Sequence, residues 1–279
     1  MTAILLALGS SVAYGLTDFL GGIAARRAHI FLLGALTQPL GLVVLLLIAP
    51  FVGGVVTAEV WFWGVISGIS GAFAYVMLFR ALAIGPMSVA SPVSALIAVV
   101  LPVVAGVFFG ERLPLLGWIG IALGMVAVLM VSQAHEDAPH PVTLQVLLLS
   151  FGAGVFISIF LVALERAPDD SGLWPLVVVR IVTSVLLIAV AFGSNALTRP
   201  SRDVLVLGFA STLLDVAATA MFMLATREGL LTVVAVITAL YPAATVLMAR
   251  IVLKEHLQAL QRWGLALAVV SVAVLASVA

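Results

Sequence analysis

Asp215, Arg180 and Asp18 have the strongest claim to chemistry in this chain, because each interrupts a long apolar run. A charge at the centre of a membrane helix costs about 2.5–3.5 kcal/mol on insertion scales, so it must face protein or water rather than lipid. Asp215 lies mid-run in Ser211-Thr212-Leu213-Leu214-Asp215, where a carboxylate either carries a coupling proton, holds a substrate amine, or closes an interhelical ion pair. Arg180, in Val178-Val179-Arg180-Ile181, offers a bidentate guanidinium fork to a solute carboxylate or phosphate, and equally a structural partner for Asp215. Asp18 stands past the middle of its run, near a pore mouth or in a capping role.

Around these three, Gln38 in Thr37-Gln38-Pro39 and the hydroxyls of Tyr14, Tyr75 and Tyr241 could serve a polar cavity, an interhelical hydrogen bond or an interfacial aromatic belt. Pro92, Pro102 and Pro242 lack a backbone N–H and free carbonyls that either line a pathway or merely accompany packing kinks. Glu111 and Glu255 close two similar turns and read as structural. The absence of cysteine excludes disulfides, thiolate metal sites and Cys nucleophiles. His29, His135, His140 and His256 fall outside the apolar runs without His-x-x-x-His spacing, so no metal or cofactor is expected. No Walker pattern is present, which argues against nucleotide hydrolysis; the chain reads as a non-enzyme, and any pumping would have to draw on an ion or solute gradient. Glu136-Asp137 and Asp169-Asp170 read as solvated loop charge.

The elements that must position these groups are membrane helices. Of 279 residues 64% are hydrophobic and 9% charged, against about a quarter charged in soluble domains, so a water-soluble fold could not hide the apolar surface. Net charge is zero and no basic stripe exists, which excludes nucleic acid as a partner. Crossing a bilayer takes about 20 apolar residues, and ten such runs are predicted at 3–25, 30–51, 60–81, 88–109, 114–132, 142–164, 173–192, 204–226, 231–253 and 259–276. The first lacks a basic leader region and a cleavage site and is expected to be retained. Gly64-x-x-x-Gly68 with Gly71, and Gly120-x-x-x-Gly124, predict close helix packing, within one bundle or across a homodimer. Ten spans suffice to enclose a pathway in one chain, so a monomer is the economical expectation.

Residues 74–128 match residues 218–272 without a gap at an offset of 144, as from Glu111 to Glu255. Paired identities include Met77/Met221, Gly85/Gly229, Leu96/Leu240, Glu111/Glu255 and Gly120/Gly264. Charges and turn glycines are scarce here, so their register carries the match. The chain therefore reads as one five-helix repeat at 1–133, a connecting loop at 134–141 and a second five-helix repeat at 142–279. Five spans is an odd number, so the halves lie in opposite orientation. The predicted fold class is an all-α integral membrane protein of ten transmembrane helices in two inverted repeats, with a solute site between them.

Phe109-Gly110-Glu111-Arg112-Leu113 and Leu253-Lys254-Glu255-His256-Leu257 each close a fourth span. Together with Tyr14-Gly15-x-x-Asp18-Phe19, Gly21-Gly22 and Tyr241-Pro242, this pattern resembles the EamA family of the drug/metabolite transporter superfamily. Pro242 has no proline counterpart at Ala98, so the halves need not bend alike. The resemblance implies a multi-pass protein of the cell membrane that moves metabolites, amino acids or drugs by alternating access, with protons a candidate coupling ion. A membrane scaffold or lipid-handling protein that keeps the fold without transport is the competing expectation. The resemblance implies cytoplasmic termini, whereas the positive-inside rule places Arg26, Arg27, Arg80, Arg199, Arg202, Arg250, Lys254 and Arg262 on the cytoplasmic side and the termini outside. The charge argument is preferred, and transport survives either orientation.

Overall fold

The computed structural model describes residues 1–131, 142–194, 196, 198–253 and 258–278. Among them the long elements are α1 (Thr2–Arg27), α2 (Ile30–Val52), α3 (Ala58–Ile84), α4 (Met87–Phe108), α5 (Leu115–Val131), α6 (Leu144–Glu165), α7 (Trp174–Gly193), α8 (Arg202–Glu228), α9 (Leu231–Thr238), α10 (Tyr241–Leu253) and α11 (Ala259–Ala276). Nine described helices are long and apolar enough to cross a membrane, with Leu231–Met248 taken as one, and α5 adds a shorter apolar helix. The protein is a ten-helix integral membrane protein built as two inverted repeats. The 134–141 loop, with His135, Glu136, Asp137 and His140, lies outside the described residues, as does the turn carrying Lys254, Glu255 and His256.

Local signals start the helices in register between the halves. The Thr57 hydroxyl accepts from Val60 N at 3.3 Å to open α3, and Ser201, 144 positions on, accepts from Val204 N at 3.4 Å to open α8. Each such cap is worth about 1 kcal/mol. Glu59 and Asp203 follow in the first turns, where their charge suits the positive end of the helix dipole.

Without a hydrophobic driving force between helices in lipid, close backbone approach at small residues holds the bundle. A Cβ on Gly64 or Gly68 would strike Val178 or Val182 of α7, and one on Gly71 would press on Phe160 of α6. One on Gly120 or Gly124 would meet Leu275 or Ser271 of α11. Both glycine stripes are thus used inside the chain. The packing repeats across the two-fold: Gly120 lies on Leu275 while Gly264 lies on Val131, and Gly9 lies on the sulfur of Met221 while Gly152 lies on that of Met77.

One predicted span differs from its observed form. The run at 231–253 is not one helix, because α9 ends at Thr238 and α10 begins at Tyr241. Ala239 N still bonds to Ala235 O at 2.9 Å, but Leu240 N turns to Ile237 O at 3.2 Å and Ala243 N to Leu240 O at 2.9 Å. Pro242 has no N–H for the Thr238 carbonyl, and its ring crowds that carbonyl. The counterpart α4 runs continuously through Pro92 and Pro102.

Candidate functional site

Halfway along the helices, the two repeats enclose a cavity of about 130 Å³. Tyr14, Asp18, Gln38, Tyr75, Arg180, Asp215 and Tyr241 all line it. None of the rings of Pro92, Pro102 or Pro242 does, although Pro242 sits directly behind Tyr241 at the helix break.

The first polar cluster joins α2, α7 and α8. The Arg180 guanidinium donates through Nη1 to Gln38 Oε1 and through Nη2 to Asp215 Oδ2 in a tight ion pair. The Arg180 side chain is 7% exposed and that of Asp215 28%, so the pair is buried on its basic side and open to the cavity on its acidic side. Thr183 Oγ1, with one proton for Val179 O at 3.0 Å and Gln38 Oε1 at 3.2 Å, adds a second contact between the repeats. From Asp215 the network continues through backbone: Thr219 Oγ1 donates to Asp215 O at 2.8 Å and lies 3.0 Å from Tyr14 Oη. A hydroxyl has one proton, so Tyr14 is the donor in the second contact.

The second cluster joins α1, α4 and α10. Ser91 Oγ donates to Asp18 Oδ2 at 2.7 Å, and Ser94 Oγ donates to Ser91 O at 2.7 Å. Tyr241 Oη lies 3.0 Å from Ser94 Oγ and 3.2 Å from Ser91 O, both of which can accept its proton. Tyr75 stands apart, 3.3 Å from Thr37 Oγ1 and packed on Phe79.

Ser91, Ser94, Thr183, Thr219 and Thr238 belong to the site, and the sequence does not single them out. Serine and threonine are common in membrane helices and bond to their own helix, as Thr183 does to Val179 O at 3.0 Å, so their presence alone signals nothing. Thr238 is the exception. Its Oγ1 is buried with no hydrogen-bond partner among the described residues, and it lines the cavity beside the break.

Glu111 serves at a distance. Its Oε1 accepts from Leu231 N at 2.6 Å and its Oε2 from Thr232 N at 3.0 Å, with a further short bond from the Thr232 hydroxyl. A carboxylate of the first repeat therefore caps α9 of the second, satisfying donors that a helix start leaves open and placing negative charge at its positive end. Asp169 and Asp170 are exposed, as expected of loop charge, with Asp169 4.0 Å from Arg227.

Inverted repeats around a mid-membrane cavity furnished with charged side chains define the architecture of the secondary-transporter class. The model of the EamA-like transporter family matches residues 1–133 and 144–277, and the chain belongs to that family. A solved structure, described only as "Crystal structure of protein", superposes with a TM-score of 0.76 at 19% identity, over 98% of this chain and 95% of the other. At that identity the likeness speaks for the fold alone. No curated protein matches the sequence.

Proposed function

We propose that this protein is a secondary transporter that moves a small organic solute of the metabolite, amino-acid or drug class across the cell membrane. It does so by alternating access, with protons as the coupling ion. The observation that carries the reading is the cavity between the repeats, which gathers Asp18, Asp215 and Arg180 halfway through the bundle. Charges in lipid are too costly to be kept there without partners or use. Asp215 opens onto the cavity while holding Arg180, so a proton on its carboxylate would loosen the guanidinium and with it the Gln38 bridge between the repeats. This supports a link between protonation and the contact of the two halves.

A scaffold or lipid-handling role would draw on the same Arg180–Asp215 pair as a purely structural lock. The exposure of Asp215 to the cavity favours transport.

The test is flux into proteoliposomes from a pool of labelled amino acids and metabolites, with and without an imposed pH gradient, for the wild type and Asp215→Asn. Flux that follows the gradient and loses that dependence in Asp215→Asn supports coupling at this carboxylate. Gradient-independent flux leaves a facilitator. No flux from a folded, inserted protein with a broad pool turns the reading to the scaffold.

A further inference from the structure

The three charged side chains of the cavity comprise two carboxylates and one guanidinium, and the guanidinium is committed to Asp215. Asp18 is left without a cation. It is 4% exposed, its Oδ2 is held only by the Ser91 hydroxyl, and the ion pairs among the described residues do not include it. Burying a carboxylate against a single hydroxyl is costly unless a proton or a cation joins it.

Further acceptors line the same cavity, and Tyr241 among them joins Asp18 through Ser91. Thr238 Oγ1 is buried and has no partner among the described residues, in a residue 3% exposed. The Thr238 carbonyl has lost its helical donor to Pro242, at the C-terminal, negative end of α9. Tyr241 Oη spends its proton on Ser91 O or Ser94 and keeps its lone pairs. Acceptors left unsatisfied at a broken helix suit a cation. The opposite wall is apolar: Ile157, Phe160 and Leu161 of α6 face the cavity in the positions that Tyr14, Thr17 and Asp18 hold on α1.

We propose that the surface where α1, α4 and the α9–α10 break meet is a subsite for one positive charge, the ammonium of an amine-bearing solute whose apolar body lies against α6. An ammonium brings three donors and no acceptor, which matches the Asp18 carboxylate, the Thr238 hydroxyl and the Tyr241 oxygen. The assignment rests on the transporter reading, and it names the class of solute.

The experiment is equilibrium binding to purified protein in lipid nanodiscs, with benzylammonium as the probe, benzyl alcohol as its uncharged counterpart and sodium ion as the inorganic cation. Benzylammonium is expected to bind about tenfold or more tighter than benzyl alcohol and to resist displacement by excess sodium. Asp18→Asn should weaken benzylammonium by about tenfold or more. Thr238→Val should weaken it by about fivefold while raising the melting temperature of the ligand-free protein, because the variant removes an unsatisfied buried hydroxyl. That opposite pair of signs is not produced by general damage, so the proposal stays testable even if Asp18→Asn does not fold. Equal binding of benzyl alcohol, or unchanged affinity in both variants, overturns the proposal. Sodium binding that depends on Asp18 without benzylammonium binding overturns the solute assignment. Amine binding without flux of any solute sinks the transport reading and leaves the subsite, whereas flux without amine binding does the reverse.

Discussion

Helices α3 and α8 open on matching caps, and each lends a serine to the partner repeat. Ser67 Oγ donates to Phe160 O at 2.9 Å, and Ser211 Oγ donates to Thr17 O at 3.4 Å. One turn later they part: α3 has Gly71 where α8 has Asp215, and both positions line the cavity. The same division runs between α6 and α1, which pair at an offset of 143 as Gly152 and Gly9 do, with Leu161 in the place of Asp18, and between α4 and the α9–α10 pair, with Ala98 in the place of Pro242. Contacts that space the helices are held in common, while side chains that face the cavity are not. The cavity therefore has a scaffold of two-fold form and a charged wall on one side only. A solute with one charged and one apolar end would meet a defined orientation in it.

The largest expected effect comes from breaking the charged wall. Arg180→Met leaves Asp215 without its guanidinium; removing one partner of a buried pair costs about 3–5 kcal/mol, and the opening of Asp215 to the cavity puts the expectation at the lower end. The expected result is a marked fall in melting temperature in detergent. Adding Asp215→Gly gives α8 the residue that α3 carries and removes the stranded charge. More than half of the lost stability should return, while solute flux stays lost. Flux that survives the double variant would mean that the charged wall is not where the repeats' difference matters.

Next in size is the helix break. Pro242→Ala supplies the missing N–H to Thr238 O and makes the ninth span resemble α4. Removing an interior proline from a position that can become helical should stabilise the protein by about 1–3 kcal/mol. Flux should drop about tenfold if the broken segment is needed in the cycle, a change of about 1.4 kcal/mol in barrier. Pro92→Ala in α4 serves as the control and should leave flux within about twofold. An equal loss in both variants would erase the distinction between the two spans.

Much of this arrangement is legible in the sequence, for physical reasons. Apolar runs of membrane-spanning length announce the helices, and the predicted final span at 259–276 coincides with α11. Asp18, Arg180 and Asp215 stand out because charge in lipid is expensive, and they do face one cavity. The break at Ala239–Leu240 is not legible, since Pro39, Pro50, Pro92 and Pro102 also stand inside apolar runs, and α2 and α4 continue through them while the span of Pro242 parts. Nor is the partner of Glu111, which is fixed by tertiary packing 120 residues along the chain at Leu231. Thr238 is hidden among many hydroxyls, and only the burial of its oxygen without a partner distinguishes it.

Glu111 offers a smaller test of how one repeat holds the other. Glu111→Ala strips α9 of a charged cap on two backbone N–H groups, a loss of about 2 kcal/mol by the scale of capping and charge-assisted bonds. Glu111→Gln should keep part of it, since an amide oxygen still accepts. Equal melting temperatures for wild type and Glu111→Ala would show that packing alone positions α9.

The smallest expected effect tests the shared scaffold itself. Ser67→Ala and Ser211→Ala each delete one hydroxyl bond to a carbonyl of the facing helix, at positions equivalent across the two-fold. Each should cost about 1 kcal/mol, and the two costs should agree within about 0.5 kcal/mol and add in the double variant, because the sites share no partner. Flux should change little in either. A cost confined to Ser211, next to the charged wall, would mean that the asymmetry of the cavity reaches into the contacts that space the helices, and that the scaffold is less two-fold in energy than in form.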